Sequence, residues 1–69
     1  MTNKAESLAK VTQCLALAIS APTDDHAARA IELSYDLMAI AFNLGATDKD
    51  IELCKKAAVV VVEYLNQRA

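Results

Sequence analysis

Glycine and proline each occur once in this chain, at Gly45 and Pro22, and tryptophan does not occur at all. So few chain-breaking residues beside 55% hydrophobic residues exclude a disordered chain, which needs low hydrophobicity and high charge. Charge of either sign is modest. Seven lysines and arginines stand against nine acids, for a net charge of −2. A protein that neutralises phosphates needs a basic patch, and this sequence has none. Duplex DNA, RNA and anionic membranes are therefore not its partners on charge grounds. No apolar run approaches the ~20 residues that a membrane span requires.

Two cysteines, Cys14 and Cys54, are too far apart for the close pairs of zinc or redox motifs. They read as small buried hydrophobes. A disulfide between helices is the alternative, and it would need an oxidising compartment. Lys4 and Lys10 followed by the apolar stretch 11–21 partly resemble a secretory leader. Glu6 in the would-be basic region, and Thr12 and Gln13 in the apolar one, argue against it. The expected location is the cytoplasm.

The punctuation that is present divides the chain into three helices within a single domain, 1–69. Asn3 is positioned to cap the first, with Glu6 three residues on, and Pro22 ends it near Ser20 by disfavouring helical geometry in the residue before it. Thr23 caps the second, with Asp24 and Asp25 where the helix dipole favours negative charge. Gly45 ends that helix by adopting left-handed geometry. Thr47 opens the third, with Asp48 and Asp50 in its first turn. The expected spans are about 4–20, 24–44 and 48–67, with short connections that make sequential neighbours antiparallel. The run Val59–Val60–Val61–Val62 favours a strand by propensity. It is assigned to helix, because no second strand exists to pair with it and the flanking residues keep helical phase.

Helical wheels locate the apolar faces. The first helix carries one stripe of roughly 140°, made by Leu8, Val11, Cys14, Leu15, Ala18 and Ile19, with Leu17 outside it. On the second helix, Asp25, Arg29, Glu32, Asp36 and Asn43 crowd into one polar stripe. Leu33, Leu37, Ile40 and Leu44 line one side of the remaining arc of roughly 260°, and Ile31, Tyr35, Met38 and Phe42 the other. The third helix centres its apolar arc on Ile51, Cys54, Ala58, Val61 and Leu65, flanked by Leu53, Val60 and Tyr64. Val59 lies in its polar stripe.

Two neighbours in one chain cannot easily cover an arc as wide as that of the second helix. Each large side chain left in water forgoes roughly 1.5–3 kcal/mol. The expected remedy is a homodimer with the second helix near a two-fold axis. Leu33, Leu37, Met38, Ile40, Phe42 and Leu44 would then form the dimer interface. Residues at the arc edges, Arg29, Glu32, Tyr35, Asp36, Val59 and Tyr64, are the candidates for contact with a different protein.

No catalytic constellation and no cofactor or metal site is expected. Asp24, Asp25 and His26 suggest a metal only in isolation, since a first helical turn is where acids belong. Asp48, Asp50 and Glu52 lack the glycine and bidentate glutamate spacing of a calcium loop. There is no Gly-rich phosphate loop and no nucleophile–base pair. A DNA-reading helix-turn-helix around Gly45 would present those same three acids to phosphate.

The length, the opening Met1-Thr2-Asn3-Lys4 and the stacked apolar helices without chemistry resemble the small early proteins of temperate phages. Among them the chain resembles the short helical anti-activators that silence bacterial quorum-sensing transcription factors. This resemblance implies inhibition of a host regulator by direct binding, in the host cytoplasm, and it assigns no site residues. A dimerisation or assembly piece with no heterologous partner is the alternative.

Overall fold

A computed structural model describes residues 3–68. It is all-helical, with three helices and no strand among the described residues: α1 (Lys4–Ser20), α2 (Asp24–Asn43) and α3 (Asp48–Arg68). The boundaries follow the caps. Asn3 Oδ1 accepts from the backbone N–H of Glu6 at 2.8 Å. Thr23 Oγ1 accepts from the N–H of His26 at 3.2 Å. At α3 the box is reciprocal: the Asp50 N–H donates to Thr47 Oγ1 (3.3 Å) and the Thr47 N–H to Asp50 Oδ2 (3.0 Å).

The end of α2 is a Schellman motif. Gly45 takes a φ of 100°, its N–H donates to the Phe42 carbonyl, and the Ala46 N–H reaches back to Ala41. Ala41 and Ala46 are both buried there, supplying the apolar contact that accompanies the motif. The four-valine run lies within continuous α3, as the flanking helical phase requires.

The middle helix is α1. Both α2 and α3 pack along it, and they barely touch each other. α1 and α3 run in the same direction. Lys4 pairs with Asp50 (3.4 Å), the Cys54 thiol donates to the Leu8 carbonyl (3.4 Å), and Ala16 packs with Ala58 and Val62. Both cysteines are buried and free, so the disulfide alternative is not realised.

The packed faces differ in part from the wheel. On α1, Ser7, Val11, Cys14 and Ala16 are buried, whereas Ile19 is exposed. On α3 the buried line runs Ile51–Cys54–Ala58–Val62, so Val62 replaces Val61, which together with Leu65 is exposed. On α2 the two buried side chains are small, Ser34 and Ala41, with Ala27, Ala30, Leu37 and Met38 half-buried. Small residues let helix axes approach closely, and they leave the bulky residues of α2 on either side of the contact.

Burial of the two serines divides by partner. Ser34 Oγ donates to the Ile31 carbonyl at 2.6 Å, whereas Ser7 Oγ is fully buried with no hydrogen-bond partner. An unsatisfied buried hydroxyl costs roughly 1–3 kcal/mol. Ser7→Ala is therefore expected to stabilise the fold by about 1 kcal/mol, a rise in melting temperature of about 4–8 °C. Thermal unfolding followed by circular dichroism measures it, and an unchanged or lowered midpoint would mean that Ser7 is satisfied.

Asp50 joins the α3 cap to α1. The Thr47 backbone N–H, and after it the Lys4 ammonium, hold its carboxyl below the ordinary carboxylate value. A folded-state pKa below the unfolded one contributes stability that is present above the unfolded value, about 3.9, and is lost as pH falls through the folded one. In urea titrations, the stability gap between wild type and Asp50→Asn should be open at about pH 7 and close below about pH 4. A gap that persists in acid would assign the effect to packing.

Candidate interaction surface

Fourteen large apolar side chains are exposed among the described residues, on all three helices. The accessible surface is 4988 Å² for a mass of 7.4 kDa. A folded monomer of that mass exposes about 4,200 Å². The chain therefore exposes about 800 Å² more than a compact monomer of its mass.

The exposed apolar side chains fall into separate surfaces. The first is a trough where α2 and α3 diverge. Leu15, Ala18 and Ile19 of α1 form its floor, Ile31 of α2 one wall, and Lys55 and Val59 of α3 the other, enclosing about 300 Å³. Its one charged lining residue, Lys55, is 3.4 Å from Glu52. The second surface is the outer face of α3, where Leu53, Ala57, Val60 and Tyr64 are all exposed. The far flank of α2, with Leu33, Ile40 and Leu44, is the third.

The candidate dimer residues do not form one patch. Leu33, Ile40 and Leu44 lie on the far flank of α2. Phe42 lies on the opposite flank with Ile31, and Leu37 and Met38 are half-buried toward α1. At about 100° per residue, the polar stripe of Arg29, Glu32 and Asp36 separates those flanks and points away from α1. A single helix laid on α2 would therefore meet one flank or the other.

The candidate partner residues divide similarly. Arg29, Glu32, Tyr35 and Asp36 are exposed along α2, and Tyr35, at 64% exposure, has the most exposed large apolar side chain among the described residues. Val59 lines the trough, and Tyr64 is on the other side of α3. Sequence reasoning did not gather Ile19, Ile31 and Val59 into a trough. Its signal would have been the splitting of the apolar arc of α2 into two bulky edges around a line of small residues.

Among the described residues, no group of three or more His, Cys, Asp or Glu side chains is placed to hold a metal ion. His26 is exposed at the start of α2, its Nδ1 2.6 Å from Thr23 Oγ1. No described helix is long and apolar enough to cross a membrane. No family model, curated protein or solved structure matches the chain.

Proposed function

We propose that this chain is a non-enzymatic interaction module that binds another protein directly and regulates it by occupying it, and that it also associates with itself. The observation that carries this reading is the exposure of fourteen large apolar side chains among the described residues. Apolar patches of this extent on small proteins mark interaction sites. The heterologous surface is the α2 side. There Tyr35 stands beside an acidic stripe in which Asp24, Asp25, Glu32 and Asp36 outnumber Arg29, a combination suited to a basic or apolar groove. The partner class we propose is a bacterial transcription regulator of the quorum-sensing type, inhibited by being bound. Self-association as an assembly component is the second reading, favoured by the outer face of α3.

The test is a gel shift with such a regulator and its operator, to which the purified chain is added. Operator binding should be lost, and Tyr35→Ala should blunt the loss while leaving helicity intact. Operator binding that persists at excess protein would remove this class of partner.

A further inference from the structure

The outer face of α3 carries apolar residues at a regular repeat. Leu53, Ala57, Val60 and Tyr64 are spaced four, three and four residues apart, the alternation of a coiled-coil seam. The face lies outside the line of α3 residues buried on α1, Cys54, Ala58 and Val62; Leu53 and Ala57 at its N-terminal end border a pocket with Leu8, Ala9 and Thr12 of α1, and Val60 on it is 62% exposed. Beside it, Leu17 and Gln13 of α1 border a shallow apolar groove shared with Val61 and Leu65, which widens the patch. An exposed seam of this kind is made for another helix.

Resting on the reading that the chain associates with itself, we infer that this seam is the self-interface, and that α3 pairs antiparallel with α3 of a second copy. Charge register carries the choice. Lys56 and Glu63, both exposed, occupy the same flanking position of successive heptads. In an antiparallel pair equivalent flanks face each other. Aligning Leu53 with the second copy's Tyr64, and Ala57 with its Val60, sets Lys56 against the second copy's Glu63, and the two-fold axis repeats that pair. Large meets large and small meets medium in every layer. A parallel pair would face Ala57 with Ala57 and set Lys56 against Val61, so the Lys56–Glu63 pair would be lost.

The experiment is sedimentation equilibrium at low salt on four proteins, with circular dichroism on each. Wild type should be dimeric at micromolar concentration. Lys56→Glu and Glu63→Lys should each weaken dimerisation about tenfold, since each reverses two symmetry-related pairs. An equimolar mixture of the two should regain wild-type affinity, because both pairs are opposite in sign in the mixed dimer. Val60→Glu should abolish dimers with helicity retained. A monomeric wild type overturns both this inference and the self-association on which it rests. A dimer indifferent to Val60→Glu and to both charge reversals overturns the inference alone and moves the interface elsewhere. Weakened single variants that the mixture does not rescue overturn the antiparallel register.

Discussion

Ala58→Leu is expected to destabilise the fold by about 2 kcal/mol or more. Ala58 is fully buried and packs with Ala16 and Val62 where α1 and α3 run side by side. Extra methylenes in a filled contact force helices apart or side chains off their rotamers, at about 1–3 kcal/mol. A domain this small has a total stability of only about 5 kcal/mol, so the loss is a large fraction. The control is Ala28→Leu on exposed α2 surface, expected to stay within about 0.5 kcal/mol of wild type. Urea denaturation distinguishes them. Equal midpoints for the two variants would show that Ala58 is not at a close contact.

Val11→Asp is expected to leave the chain unfolded. Val11 is fully buried on α1, the helix on which both others pack. A carboxylate placed there is taken out of water, and the effective penalty for a buried ion is several kcal/mol, comparable to the whole stability of the domain. Leu33→Asp, at a position 52% exposed on α2, should keep its helicity. Far-UV circular dichroism separates the outcomes, and a folded Val11→Asp would show that α1 is not the central helix.

The elements of the fold were legible in the sequence because local chemistry fixes where helices start and stop. Asn3, Thr23 and Thr47 cap as their side chains dictate, and Gly45 supplies the positive φ that closes α2. Each boundary falls within a residue of its expected position. The faces were less legible. A wheel ranks residues by hydrophobicity and so spreads the apolar arc of α2 over roughly 260° without marking which part of it meets α1. Packing ranks them by shape as well, and α1 is met by Ala41 and Ser34, whose small side chains let the helices approach. The same blindness hides Ser7 and Ser34. A serine satisfied by its own helix, as Ser34 is by Ile31, is as packable as an alanine. On α3 the step from Val61 to Val62 is one residue, or about 100° of rotation, and four consecutive valines give hydrophobicity no means of choosing. That α1 lies in the middle depends on pairings between Leu8 and Cys54, or Lys4 and Asp50, some 46 residues apart, which no local pattern encodes.

Because α2 and α3 barely touch, each is fastened to the molecule by α1 alone. Energetic coupling between distant sites travels through elements that both sites can bias, and here the shared element is one helix with a tightly filled interior. Substitutions on the outward side of α2 and on the outward side of α3 should therefore combine additively. A ligand held by one side would leave affinity at the other almost unchanged. The outward sides of α2 and α3 are thus free to change in sequence independently of each other.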